Sequence, residues 1–222
     1  MRLATPGLLD RLPAPPESLM PIRLDTLEQR SFGVTAGPEE ARPAAVLVLV
    51  VPSETDSGEG SPDHGPSQAD AEVVLIERVD RGGHHAGDIA LPGGRFEARD
   101  AGSAAAAALR EAAEEVGLDA GAVGVRVVGE LETFWIPVSD YRVTPVLAIA
   151  DRRPIFEAAP AEVVRVITVP LAAFLADAPI ELVETTIRGF HLRFGAYPVG
   201  GLRVWGATAR ILGQLGAVIG PD

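Results

Sequence analysis

The 222-residue chain contains no cysteine, which excludes disulfides, thiolate zinc sites and thiol nucleophiles. Histidine is nearly as scarce, and four scattered residues argue against a multi-histidine metal site. Positive charge is also short. The 19 Lys and Arg against 31 Asp and Glu leave a formal charge of −12, which argues against a non-specific nucleic-acid binder or an anionic-membrane binder. No long hydrophobic run is present. The longest, Ala44 to Val51, falls far short of the roughly 20 residues of a membrane span. Met1 to Asp10 carries neither a long apolar core nor a cleavage pattern, so no signal peptide is expected and a cytoplasmic, soluble protein is the default.

What is there is ordinary globular material. Hydrophobic residues make up 47% and charged residues 23%, so wholesale disorder is excluded and one large domain is expected. The acidic balance sets a condition on function. An anionic substrate such as a phosphate ester would need something positive between it and this protein, and a divalent metal is the usual answer.

Residues 1–40 hold six prolines and no long periodic stretch; they read as an arm packed on the domain, with a short helix around Leu19 to Gln29. Residues 41–222 read as the single domain. Ala44 to Val51 is apolar and β-branched, a buried strand. Pro52 to Ala71 is rich in Ser, Gly, Asp and Pro and reads as a flexible loop, with His64 exposed in it. Glu72 to Arg78 is the expected hairpin partner of the first strand.

Ser103 to Val116 is the clearest helix, with Ser103 as N-cap, an alanine run and Gly117 as stop. Strands are expected at Val123 to Glu130, Tyr141 to Ala150 and Val163 to Val169, a short helix at Leu171 to Ala176 and a closing helix at Thr208 to Val218. Glu181 to Ile187 and Phe190 to Phe194 read as a hairpin turning at Arg188-Gly189. Strands outnumber helices without regular alternation, so a mixed-sheet α/β (α+β) domain is expected over a doubly wound one.

The chemistry concentrates in Leu91 to Leu118, LPGGRFEARDAGSAAAAALREAAEEVGL. Taking Arg110 as zero on a helical wheel, Glu114 lies near about 40°, Glu111 near about 100° and Glu115 near about 140°. These charged residues share one face, with Ala105, Leu109, Ala112 and Val116 expected on the opposite, core-facing side. Glu111 and Glu115 are a like-charge i, i+4 pair, unfavourable in an isolated helix by a few tenths of a kcal/mol. Three carboxylates offset only by Arg110 make a hard-cation site for Mg²⁺ or Mn²⁺. Leu91-Pro-Gly-Gly94 supplies a turn whose backbone can come close and expose a carbonyl, with Glu97 and Asp100 in the loop that follows. Alone, a Glu pair is a solvated face and a Gly pair a turn; together, in this order, they form a cradle for phosphate-bound metals.

This segment resembles the Nudix box. Gly94 fills the first glycine, Asp100 the acid, and Arg110, Glu111, Ala112, Glu114, Glu115, Gly117 and Leu118 the remaining positions. The acid is Asp where the pattern has Glu, and nine residues separate it from Arg110, more than the general pattern has. Both departures, with Ala108 to Ala112, Arg78, Gly87, Pro92, Gly93, Tyr141 to Val146 and Val204 to Leu212, are similar to the coenzyme A pyrophosphatase branch. Val79 and Gly83 depart from that branch, which has a small residue and a basic one there.

The resemblance implies a Nudix-like α/β/α sandwich with a mixed sheet. It also implies divalent-metal-dependent cleavage of a nucleoside diphosphate derivative, with coenzyme A the first candidate and 3′,5′-ADP and 4′-phosphopantetheine the products. Glu111, Glu114 and Glu115 would hold the metals, the Gly94 carbonyl would be a further ligand, and Arg110 would orient the carboxylates. Glu162 is the leading candidate for the general base or a further ligand; Glu97 and Glu132 stand behind it. Arg78 is either a phosphate contact or a strand end. His84 and His85 are a solvated pair or a phosphate contact, with His85 the better placed; Gly93 would let the substrate approach. Trp135, Trp205 and Phe134 read as core or interface, although Phe134-Trp135 lies in an expected loop where a stacking platform would be useful. His191 has no assigned role. An ADP-ribose or dinucleotide pyrophosphatase and a non-catalytic nucleotide-sensing module are the alternatives. The arm and the segment Ile211 to Ile219 serve either a homodimer interface or a cap on the core.

Overall fold

The computed structural model describes residues 7–10, 12–24, 37–54, 71–79, 88–137, 139–187 and 190–220. The expected flexible loop falls largely outside these, as do His64, Gly83, His84, His85, Gly87 and the Arg188-Gly189 turn. In chain order the elements are β1 (Ile22–Arg23), β2 (Arg42–Pro52), β3 (Ala71–Arg78), β4 (Ile89–Ala90), β5 (Gly93–Arg95), α1 (Ala104–Val116), β6 (Val125–Glu130), β7 (Phe134–Ile136), β8 (Tyr141–Ala150), β9 (Val163–Pro170), β10 (Glu181–Ile187), β11 (Phe190–Val199), β12 (Leu202–Trp205) and α2 (Gly206–Ile219).

Among the described residues, eight strands form one mixed sheet with path β4-β3-β2-β8-β6; β5 joins β2, β7 joins β8 and β9 joins β3. The β2–β8 pair is parallel and the others are antiparallel. A four-stranded sheet, β1-β11-β10 with β12 on β11, lies beside it. The apolar run in β2 is explained by burial on both faces. Ala45, Leu47, Leu49 and Val51 pack with α1, whereas Val48 and Val50 face a second core built with Phe174, Tyr197 and α2. This is a mixed α/β sandwich, as expected. No helix among the described residues is long and apolar enough to cross a membrane.

Several local expectations are corrected. Leu19 ends a 3-10 turn at Glu17–Leu19 instead of starting a helix. Met20 precedes Pro21 and is extended, with ψ 132°, because the proline ring disfavours helical geometry in its predecessor; residues 25–30 lie outside the described set. Phe134 and Trp135 are strand, not loop, because the start of β8 offers them an open edge, pairing Phe134 with Val143. The expected helix at Leu171 to Ala176 is a 3-10 turn, Leu171–Phe174. Strand β12 was not anticipated, although Gly200-Gly201 marks it. Both glycines have positive φ, 57° and 78°, which is what a two-residue hairpin turn with the strands' twist requires.

The N-terminal residues touch the same core. Leu19 is fully buried in the α2-side cluster, and Gln214 Nε2 donates to the Pro13 carbonyl at 3.1 Å.

Candidate active site

β5 lies antiparallel to the start of β2, with Gly93 opposite Val46 and Gly94 opposite Ala45. Gly93 has φ 153°, and a Cβ there would collide with the Ala45 carbonyl and Val46; only glycine fits this backbone. A Cβ on Gly94 would run into the carboxylate of Glu111, so the strand backbone stands directly against that side chain. Helix α1 is capped as read: Ser103 accepts from the Ala106 N–H, and Gly117 terminates it in the left-handed conformation.

The helix is rotated from the expected orientation. Its buried side chains are Ala104, Ala107, Ala108, Ala112, Glu115 and Val116, whereas Ala105 and Leu109 are only partly buried. Glu115 is therefore inside the buried arc, 2% exposed, and not on a solvated acidic face. The cause is β5, which passes under this part of α1 and offers the Gly93 N–H to Glu115 Oε2 at 2.8 Å. A wheel projection shows angles around the helix but not which neighbour fills them.

Arg110 is the hub of the acidic segment. Its Nε donates to Asp100 Oδ1 at 2.9 Å and its Nη2 to Asp100 Oδ2 at 3.0 Å. Nη1 donates to Glu111 Oε1 at 2.9 Å and Glu114 Oε2 at 3.0 Å, and Nη2 also reaches the Arg95 carbonyl at 2.9 Å. All five guanidinium N–H groups are thereby used. Asp100 is buried, and the Arg110 hydrogen bonds, helped by the Glu97 N–H, hold its carboxyl below the usual carboxylate range. The long spacer has a physical account here. A 3-10 turn, Ala98–Asp100, aims Asp100 inward, and Ala101 and Gly102, at φ 49° and 78°, then turn the chain to the helix start.

Glu115 has the opposite problem. Burial pushes its carboxyl up to about 7; the Gly93 N–H and Arg78 oppose the rise, and the nearby Glu111 and Glu162 charges add to it. Arg78 Nη2 stands 3.9 Å from Glu115 Oε1. Glu162 immediately precedes β9, and its carbonyl accepts the Val79 N–H at 3.0 Å, beside the Arg78–Val163 pair. The segment before it closes the end of α1. Glu157 N–H donates to Val116 O at 3.0 Å and Ala159 N–H to Glu115 O at 2.9 Å, satisfying carbonyls a helix end leaves open.

The structure thus brings together Arg78, Gly93, Gly94, Glu111, Glu115 and Glu162, with Arg110 and Glu114 on the flank. Glu97 joins the loop, exchanging capping hydrogen bonds with Asp100 and accepting from Arg99 Nε at 2.9 Å. Glu132 engages the other layer, where Arg210 of α2 donates to it at 2.8 Å and lies over the Phe134 ring at 4.6 Å. Trp205 stacks on Phe194, Trp135 donates to Asp140, and His191 is exposed beside Glu184. Arg99, which donates to Glu114 Oε1 at 2.7 Å, was missed because nothing in the spacing singles it out.

Among the described residues, no three carboxylates converge as an assembled metal cage, and Glu111 and Glu114 are engaged by guanidinium groups. The donor chemistry nonetheless fits a hard divalent ion. All donors are oxygens, the Gly94 backbone abuts Glu111, and Glu115 sits in a field of like charges that a cation would relieve.

With this geometry in place, the comparison with known proteins is decisive: the family profile of the NUDIX domain matches residues 41–185. The chain belongs to the Nudix family. It is 34% identical over 194 residues to Nudix hydrolase 22, chloroplastic, of Arabidopsis thaliana, covering 85% of this chain and 59% of that protein. It is 36% identical over 179 residues to the uncharacterized Nudix hydrolase NudL of Cronobacter sakazakii, covering 81% of this chain and 83% of the relative. Thus the chain spans less than two thirds of the Arabidopsis relative's length. Among solved structures, the MutT protein from Methanosarcina mazei Go1 is similar at 15% identity with a TM-score of 0.47, covering 81% of this chain and 96% of that one. Nudix hydrolases act on phosphoanhydride bonds and generally need divalent metal ions.

Proposed function

We propose that this Nudix chain is a divalent-metal-dependent pyrophosphohydrolase that cleaves the diphosphate of a nucleoside diphosphate derivative, with coenzyme A or its derivatives the first substrate. The observation that carries the reading is Glu115. A carboxylate 2% exposed, raised by burial and by two neighbouring glutamates, is a costly feature that a bound cation turns into a favourable one.

In this reading Glu111, Glu114, Glu115 and the Gly94 carbonyl hold Mg²⁺ or Mn²⁺. The bound metal neutralises phosphoryl oxygens and lowers the pKa of water. Arg110 fixes the rotamers of Glu111 and Glu114 from a side chain itself locked on Asp100. Glu162 receives the proton of the attacking water as that water's oxygen bonds to phosphorus and the bridging P–O bond breaks. Arg78 and His85 bind substrate phosphate, and the Gly93–Gly94 backbone, held close to Glu111 and Glu115, lines its approach to the carboxylates. Residues 41–222 are the catalytic domain and 1–40 an arm held on it. The partner is a small molecule in the cytoplasm, with homodimerisation through the arm or α2 part of the same proposal.

The branch assignment rests on the lengthened spacer with Asp100, Arg78 and the Val204 to Leu212 segment, which resemble coenzyme A pyrophosphatases. The test is a substrate panel of coenzyme A, NADH and ADP-ribose with Mg²⁺ or Mn²⁺. Release of 3′,5′-ADP and 4′-phosphopantetheine is expected. Preferential cleavage of ADP-ribose or NADH would overturn the coenzyme A assignment, and tight binding without cleavage of any of them would make the chain a sensing module.

A further inference from the structure

Both carboxylate oxygens of Glu114 are occupied by guanidinium groups, Oε2 by Arg110 at 3.0 Å and Oε1 by Arg99 at 2.7 Å. Each oxygen keeps a second lone pair, but a divalent ion coordinated there would be repelled by both guanidinium groups, so the more weakly held of the two is the one that gives way. Arg110 is 11% exposed and spends all five donors on Asp100, Glu111, Glu114 and the Arg95 carbonyl, so releasing it would strand buried Asp100. Arg99 is 58% exposed against a Glu114 that is 46% exposed, and solvent-exposed pairs of this kind are weak. Of the two, Arg99 is the more weakly held.

We propose that Arg99 is a positioning residue which occupies Glu114 in the metal-free protein and is exchanged for the incoming divalent ion, so that it sets how tightly the ion is held. The inference rests on the reading of the box glutamates as metal ligands. Glu97 makes the exchange local. It is fixed by reciprocal capping hydrogen bonds with Asp100 and accepts from Arg99 Nε at 2.9 Å, so the displaced guanidinium keeps an anchor beside the site.

The test is Mn²⁺ binding to the metal-free full chain, read from the electron paramagnetic resonance signal of free Mn²⁺ at about pH 8, above the Glu115 value of about 7. Arg99→Gln is expected to tighten Mn²⁺ about two- to five-fold, the range that loss of one exposed competing pair allows. Arg99→Lys, which keeps the charge but not the fork, is expected to fall between the two. Arg95→Gln is the electrostatic control, since Arg95 is exposed next to Gly94 without an ion pair among the described residues; it is expected to change affinity by less than half as much. A residue that merely props up Glu114 would weaken Mn²⁺ binding when removed. Unchanged or weaker binding in Arg99→Gln, or an equal gain in Arg95→Gln, overturns the exchange. Wild-type binding with an unmoved Arg99→Gln affinity sinks this proposal alone, whereas a wild-type chain that binds no Mn²⁺ sinks the metal-centre reading with it.

Discussion

The Gly93 N–H donates to Glu115 Oε2 at 2.8 Å across a buried contact between β5 and α1. Two parts of one sequence segment, a turn of small residues and a helix, are joined there by a hydrogen bond to a carboxylate that is nearly free of solvent. The bond fixes where Glu115 points and leaves Oε1 on the side of Arg78.

Replacing Glu115 by Gln should separate stability from activity. The amide keeps an acceptor for the Gly93 N–H and removes a charge that burial disfavours. Metal-free Glu115→Gln is therefore expected to be as stable as wild type or more stable by on the order of 1–3 kcal/mol at about pH 8. Diphosphatase turnover should fall by at least about a hundredfold. Denaturant titration and a coupled phosphate assay check the two halves; a destabilised but active variant would contradict both.

The same carboxyl predicts a pH dependence. Its folded value, about 7, lies above the ordinary 4.5, so the folded state binds more protons than the unfolded one between these values. Its contribution to metal-free stability is present below about pH 4.5 and declines as pH rises toward 7. A divalent ion selects the ionised form, so Mn²⁺ affinity should climb over this interval and level off above about pH 7, with proton release on binding at lower pH. Calorimetric titration in buffers of different ionisation enthalpy measures that release.

Arg110→Lys is a harsh change despite its retained charge. Lysine cannot span the bidentate Asp100 contact together with Glu111, Glu114 and the Arg95 carbonyl. Asp100, buried and dependent on that guanidinium, would lose its paired donors. A loss of about 2–4 kcal/mol is expected, measured by chemical denaturation, together with weaker Mn²⁺ binding as Glu111 and Glu114 lose their orientation.

Gly216→Ala tests packing on the far side of the molecule. Helix propensity alone favours Ala over Gly by about 1 kcal/mol. In α2, however, a Cβ at this position would overlap the Phe174 carbonyl and crowd Leu175. The expected outcome is a lower melting temperature, with a net loss of at least about 2 kcal/mol as α2 lifts from the turn at Leu171–Phe174; a gain in stability would show that the helix rests less closely on that turn.

Much of this was legible in the residues because it is local. The Ser103 cap, the alanine run and Gly117 bound α1 through interactions within a few residues, and the apolar β2 run announces burial on both faces. The Arg110, Glu111, Glu114 and Glu115 spacing places four charges on neighbouring helical positions in any context. What had to come from the tertiary structure depends on which element arrives opposite. A helical wheel cannot show that β5 slides beneath Glu115 and buries it, that the β8 edge makes Phe134 and Trp135 a strand, or that Arg99 reaches Glu114 while Glu132 turns to Arg210. Backbone torsion and helical period act over one turn of chain, whereas burial, ion pairing and proton affinity are set by neighbours distant in sequence, and only packing chooses those neighbours.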